Sequence, residues 1–199
     1  ARLLEFCGRY QQDVELSPLR RLLVRTTTTP LLESGIMGAG VPVESFMLSQ
    51  LAERDCLREM PFTLHLRAGS TARLNGLLAD QPTVRPVAPQ DLRGYLTGFI
   101  DLVCRWQGRY YLIDYKSNRL GAGMASYASE HLAKAMREHN YGLQYWLYSL
   151  VLHKYLAQTL VDYAPERHFG GVCYLFVRGM DSAVPGSGVY FDRPDPSLL

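Results

Sequence analysis

Residues 94–116 read GYLTGFIDLVCRWQGRYYLIDYK, and this stretch decides the fold. Two runs rich in Tyr, Phe, Ile, Leu and Val flank Gln107-Gly108, a pattern that predicts a β-hairpin turning at the glycine. If Gln107-Gly108 is a two-residue loop, Trp106 pairs with Arg109 and the register carries Asp101 opposite Asp114. A four-residue loop keeps that register. A three-residue loop with a bulge would put the two carboxylates on opposite faces. Directly opposed residues hold their Cβ atoms about 4.5–5.5 Å apart. Lys116, two residues beyond Asp114, points to the same face and lies opposite Phe99.

Facing carboxylates repel each other and destabilise a strand pair. A divalent cation between them reverses the sign. Mg²⁺ is held by one or two carboxylates, with waters and phosphate oxygens completing its shell. Such an ion polarises a phosphodiester and makes its bound water acidic. A neighbouring ammonium can orient that water or neutralise charge growing on phosphorus. Asp101, Asp114 and Lys116 therefore form a candidate phosphodiesterase site.

Outward from the hairpin, the upstream segment alternates Met60, Phe62, Leu64 and Leu66 with Glu59, Thr63, His65 and Arg67, a strand signal of period two. Pro61 within it predicts an edge position. Ser70 then starts a short helix carrying Leu74, Leu77 and Leu78, followed by a connection containing Pro82, Pro86 and Pro89. Downstream, two helical segments are expected over residues 126–138 and 141–157, the second with a stripe of Leu143, Leu147, Leu150 and Val151. Gly170-Gly171 leads into a last apolar strand, VCYLFV. Nearer the start, Ser17-Pro18 opens a helix bearing Leu19, Leu22 and Leu23, which should end near residues 26–29 before Pro30. Gly35, Gly38 and Gly40 mark a loop. The order strand, hairpin, helix pair, strand predicts an α/β (α+β) fold, a mixed sheet flanked by helices. Residues 1–56 are expected to be a helical lead-in, 57–180 the core, and 181–199 a loop-rich tail.

Composition narrows the class. Of 199 residues, 47% are hydrophobic and only 20% charged, with 13 Tyr and 7 Phe, which excludes disorder and coiled coil. The net charge of +2 does not by itself advertise a nucleic-acid partner. Cys7, Cys56, Cys104 and Cys173 form no C-x-x-C and read as reduced thiols of a cytoplasmic protein. No H-E-x-x-H, G-x-S-x-G or Walker sequence occurs.

The pattern G-F-I-Asp101, then Asp114-Tyr115-Lys116 resembles the signature of PD-(D/E)XK nucleases. More narrowly, the run through DYKSNRLG, then Gln144 to Tyr148 and HFGGVCYLFVRGM, is similar to the RecB-type nucleases of exodeoxyribonuclease V. That resemblance implies a restriction-endonuclease-like core and Mg²⁺-dependent cleavage of DNA during double-strand break repair and recombination. It implies Asp101, Asp114 and the Tyr115 carbonyl as metal ligands and Lys116 as the catalytic lysine. Gln144 and Tyr148 match the family's Q-x-x-x-Y motif and share one helix face. RecC and RecD subunits and RecA are the implied protein partners, with ATP serving only a helicase portion outside this chain.

Two departures accompany the resemblance. Ile100 stands where the signature has Pro. The family also draws a metal-binding His from an upstream G-x-x-x-H helix that this sequence lacks, so the chain is expected to be a piece of a longer subunit. A second reading follows, a catalytically weak module that docks partner subunits or RecA. For DNA contact, Arg119, Lys134 and Arg137 are the candidate phosphate ligands. Arg105 and Arg109 belong to a solvated rim at the turn. Glu59 is expected in a structural ion pair, His65 and Arg67 in solvent. Tyr side chains could stack on bases, though no individual Tyr is singled out.

Overall fold

Gln107 and Gly108 have φ angles of 48° and 76°. Positive φ at both central positions is the signature of a type I′ turn, whose twist matches that of the strands it joins. The two-residue loop is therefore realised, and it sets everything around it. The computed structural model describes residues 16–32, 35–37, 41–43, 45–88 and 90–195. Cys7, Gly38, Gly40 and Pro89 lie outside the described residues.

Along the chain run α1 (Leu16–Thr28), β1 (Gly35–Met37), β2 (Val41–Val43), β3 (Cys56–Ser70), α2 (Thr71–Leu77), β4 (Asp91–Trp106) and β5 (Arg109–Lys116). There follow α3 (Ser129–Glu138), α4 (Tyr141–Thr159), the single turn α5 (Pro165–His168), β6 (Phe169–Phe176) and β7 (Val189–Asp192). The main sheet has the order β3-β4-β5-β6-β7. Its first three strands form an antiparallel meander, β5 and β6 are parallel, and β7 returns antiparallel. Parallel pairing of β5 with β6 requires a long crossover, and α3 and α4 provide it.

Trp106 pairs with Arg109 and the register continues to Leu102 opposite Ile113. β3 lies at the sheet edge, as Pro61 demands. Two expectations need correction. Residues 35–43 are not simply loop, because β1 and β2 pair as a small hairpin. The tail after residue 180 is not all loop either, since Val189–Asp192 hydrogen-bonds to Val172–Leu175. Short strands rich in turn residues on both sides leave little periodic signal. The Gly-Pro-Ser content masked one here.

The sheet separates two cores. Ile100, Val103, Leu112, Val172, Tyr174 and Phe176 pack with α3 and α4 on one side. Leu102, Cys104, Ile113, Cys173 and Leu175 pack with Leu31, Leu32 and Phe46 on the other. β6 is buried along its whole length, as expected for a strand covered on both faces. Each fully buried aliphatic side chain contributes roughly 2 kcal/mol.

Residues 100 and 102 would share a face in a regular strand, yet Ile100 and Leu102 lie in opposite cores. The alternation breaks at Asp101. The partner strand breaks with it, since Glu59, between Arg58 and Met60, has φ of 50°. The chain thus turns at the position where a catalytic carboxylate is expected.

Asn140, at φ 54° and ψ 30°, separates α3 from α4. Asn tolerates this left-handed conformation better than most residues. The row of α4 buried most deeply is Tyr145, Ser149, Leu152 and Leu156, all 0–1% exposed, whereas Leu143, Leu147 and Leu150 are half-buried. The leucine stripe is corrected accordingly: α4 is apolar around most of its surface, so periodicity alone does not select the face. In α1, Leu19 and Leu22 are half-buried and Leu23 is exposed.

Candidate active site

β5 delivers Asp114 and Lys116 to the helix side of the sheet because Leu112 already lies there and strand residues alternate. Asp114 is 2% exposed. Its Oδ1 meets the Lys116 Nζ at 2.5 Å and has no other donor among the described residues. From β4, Asp101 sits one position past the last ladder pair, and its Oδ2 accepts the Tyr115 backbone N–H at 2.9 Å. The hairpin therefore brings both carboxylates and the ammonium into one cluster.

Helix α4 completes it. Gln144 Oε1 accepts a hydrogen bond from Lys116 Nζ at 2.9 Å and another from the Tyr174 hydroxyl at 3.3 Å. Gln144 Nε2 donates to the Tyr148 hydroxyl at 2.9 Å. Lys116 Nζ also stands 4.1 Å from the ring centroid of Tyr141 and 5.2 Å from that of Tyr174. Both rings present their negative faces to a cation. Tyr141 is itself held, its hydroxyl donating to Asn118 Oδ1 at 3.0 Å.

Burial pushes the Asp114 carboxyl up to about 6, against the hydrogen bond and charge of Lys116, which pull it down; the charge of Asp101 adds to the rise. Burial likewise raises the Tyr148 hydroxyl, partly offset by its hydrogen bond with Gln144. A carboxylate held near neutrality by desolvation, beside a second one, gains from any cation that enters.

The donors expected here are hard oxygens, the two carboxylates together with the expected Tyr115 carbonyl. Among the described residues no group of three or more His, Cys, Asp or Glu side chains converges on one point. Such a set fits a hard divalent cation that keeps several waters. It does not fit a closed four-ligand zinc site. Four of the five histidines lie elsewhere: His65 stacks on Tyr95, His131 contacts the Ala125 carbonyl, His153 meets Tyr163, and His168 meets Ala164; His139 flanks the cluster, stacking on Tyr141 and meeting Asn118.

The other expected residues stand outside the cluster. Arg119 is exposed. Lys134 pairs with Glu138 at 3.7 Å one turn along α3, and Arg137 donates to the Pro82 carbonyl. Arg105 and Arg109 are engaged by Asp55 and the Glu166 carbonyl. Glu59 is exposed and makes no ion pair among the described residues. Tyr141 and Tyr174 were missed by sequence reasoning. For Tyr141 a signal existed, since it lies three residues before Gln144 on the same helix face; Tyr174 reads only as core.

Comparison with known proteins agrees with this geometry. A family model of the PD-(D/E)XK nuclease superfamily matches residues 44–187. The RecBCD enzyme subunit RecB of Escherichia coli (strain K12) is 43% identical over 176 residues, covering 86% of this chain and 14% of that protein. The RecB subunit of Haemophilus influenzae is 43% identical over 155 residues, covering 76% of the chain and 13% of the relative. For Mycobacterium tuberculosis (strain ATCC 25618 / H37Rv) the RecB subunit is 41% identical over 215 residues, covering 93% and 19%. The chain thus spans less than a fifth of the length of these relatives. With two aspartates and a lysine on adjacent strands of a mixed sheet, and a family model running across all three, the chain belongs to the PD-(D/E)XK nuclease superfamily and is similar to the nuclease domain of RecB.

Proposed function

We propose that this chain is the Mg²⁺-dependent DNA-hydrolysing part of a RecBCD-type helicase-nuclease, an exodeoxyribonuclease V, acting in the cytoplasm in double-strand break repair and recombination. The observation that carries this reading is the buried Asp114–Lys116 ion pair beside Asp101. Further support comes from relatives named as RecB subunits of the RecBCD enzyme. Its partners on this reading are DNA, RecC and RecD subunits, and RecA.

Asp101, Asp114 and the Tyr115 carbonyl are the groups that would hold the cation. When bound, it supplies Lewis acidity toward the phosphodiester and acidifies a coordinated water. The chain's own residues do the positioning. Lys116, fixed by Gln144 and the Tyr141 and Tyr174 rings, places a positive charge where the phosphate gains negative charge. A water oxygen attacks phosphorus as the bond to the leaving sugar oxygen breaks; the water gives up one proton to solvent, and the leaving oxygen takes one from solvent. Arg119 is free to contact the phosphate backbone. Lys134 can do so by exchanging its weak exposed partner Glu138. Arg137, by contrast, steadies the residue 82 loop while its charge contributes to the local field.

The test is Asp114→Ala in the full-length protein, assayed for Mg²⁺-dependent cleavage of single- and double-stranded DNA. Cleavage should fall by about 10²-fold or more with the circular dichroism spectrum retained; undiminished activity refutes the reading. A catalytically weak docking module would instead bind partner subunits or RecA and cut nothing with Mg²⁺ or Mn²⁺.

A further inference from the structure

β4 is longer than β5. Its pairing with β5 reaches only from Trp106 to Leu102, while its pairing with β3 continues to Asp91 opposite Ser70. Beyond the catalytic cluster, β3 and β4 therefore run on as a two-stranded ribbon. Pro61 pairs with Phe99, Thr63 with Thr97, and His65 with Tyr95.

The two faces of this ribbon differ. Phe62, Leu64, Leu66 and Leu96 are half-buried, and Phe62 packs edge-on against Tyr148 of α4. The opposite face, made of the odd-numbered positions 61–65 and 93–99, is exposed throughout. Tyr95 is 73% exposed and Phe99 59%. The His65 ring stacks on Tyr95 with centroids 4.9 Å apart and planes 25° from parallel. Arg93, exposed where the β3–β4 register shifts, supplies a nearby cation, and the exposed carboxylates of these strands, Glu59 and Asp91, stand at the two ends of the ribbon.

Edge ribbons ordinarily carry Lys or Glu to deter association. Here the outward positions carry flat rings, so something with flat faces and negative charge is the matching occupant. A single nucleic-acid strand has both: bases that stack on Tyr, Phe and His, and phosphates that pair with Arg. A duplex keeps its bases stacked on one another and offers no free base face. Location supports the same occupant. Phe99 precedes Asp101 by two residues, about 7 Å along the same strand, so this exposed face, turned away from α4, ends close to the catalytic cluster.

We propose that the outward face of this ribbon, with His65, Tyr95 and Phe99 as stacking surfaces and Arg93 as a phosphate contact, is a platform that grips single-stranded DNA next to the cleavage site. The proposal rests on the nuclease reading and adds to it a residue-level means of gripping a single strand.

The experiment uses the full-length protein with Tyr95→Ala, Phe99→Ala and the double variant, beside Tyr95→Trp and Phe99→Tyr as conservative controls. A 5-iododeoxyuridine oligonucleotide, irradiated in the presence of Ca²⁺, reports contact through crosslinks mapped by mass spectrometry. Steady-state cleavage of single-stranded and duplex substrates reports consequence. Crosslinks should fall within residues 91–104. KM for single strands should rise about tenfold for each Ala substitution, with kcat and duplex cleavage unchanged and with Trp and Tyr restoring the wild-type value. All these side chains are on the surface, so thermal melting should not change. Absent crosslinks together with an unchanged single-strand KM overturn the proposal. If the Ala variants instead weaken association of a partner subunit while single-strand KM stays constant, the face is a protein-docking surface and the proposal is wrong. Asp114→Ala is the separate control: it removes cleavage but not the crosslinks, so failure of the nuclease reading is distinguishable from failure of the platform.

Discussion

Gln144 on helix α4 and Lys116 on strand β5 are joined by a 2.9 Å hydrogen bond between Oε1 and Nζ. The same amide also binds Tyr148 and Tyr174. One side chain thus locks a lysine, a helix and the central parallel strand together, and the site is shaped before any substrate arrives. Replacing Gln144 by Ala should leave two buried hydroxyls and one ammonium short of partners. We expect a stability loss of about 1–3 kcal/mol and a kcat about 10- to 100-fold lower, measured by thermal melting and single-turnover cleavage. Gln144→Glu should keep the lysine contact but lose the donor to Tyr148.

Tyr141 tests the ring contact separately. Tyr141→Phe keeps the face beneath Lys116 and loses only the hydrogen bond to Asn118, so cleavage should stay within about twofold to threefold. Tyr141→Ala removes the cation–π contact, worth about 0.5–2 kcal/mol. A kcat decrease of roughly 2- to 30-fold is expected, with KM for DNA little altered. Equal losses for Phe and Ala would show that the hydroxyl, not the ring, does the positioning.

The Asp114 carboxyl titrates near 6 in the folded protein against an ordinary value of 3.8. The folded state therefore holds this proton more tightly than the unfolded chain. Its contribution to stability is present below pH 4 and is lost as pH rises to 6, a decline of roughly 3 kcal/mol before levelling. Chemical denaturation with a chelator present should show this slope, and Asp114→Asn should flatten it. Conversely, divalent-cation affinity should climb with pH up to about 6 and then plateau, a trend that isothermal titration can follow.

The turn offers a stability test remote from the chemistry. Gln107 occupies a left-handed position that suits Asn better, so Gln107→Asn should stabilise the protein by about 0.5 kcal/mol. Gly108→Val, placing a β-branched residue at φ 76°, should cost about 1–2 kcal/mol. Because this turn sets the register that aligns Asp101 with Asp114, the Val variant should also lower cleavage, and denaturant melts alongside activity assays would reveal both.

Much of the site was legible because a hairpin is a local object. A two-residue loop brings Asp101 to the end of the strand carrying Asp114 and Lys116, and the 2.9 Å bond from the Tyr115 amide to Asp101 holds it there, although the alternation along β4 breaks at that residue. The helices were legible in existence but not in orientation. Leu143, Leu147 and Leu150 formed the obvious stripe, yet Tyr145, Ser149 and Leu152 face the sheet. A helix apolar on most sides has no preferred face until a partner is present. β7 was missed for a related reason: four residues pair with β6 because β6 offers an edge there, not because their own pattern demands a strand.

By itself, then, the order of residues determined the strand pair, its register, and the convergence of two carboxylates with one lysine, since these depend on neighbours within one turn of chain. What only the tertiary structure decided is the environment of that lysine. Gln144 and Tyr141 reach it from α4 and Tyr174 from β6. Periodicity records that a side chain will be buried, but the helix-on-sheet packing that burial drives chooses what it is buried against. The same packing leaves Tyr95 and Phe99 outside, on a ribbon longer than the sheet that anchors it.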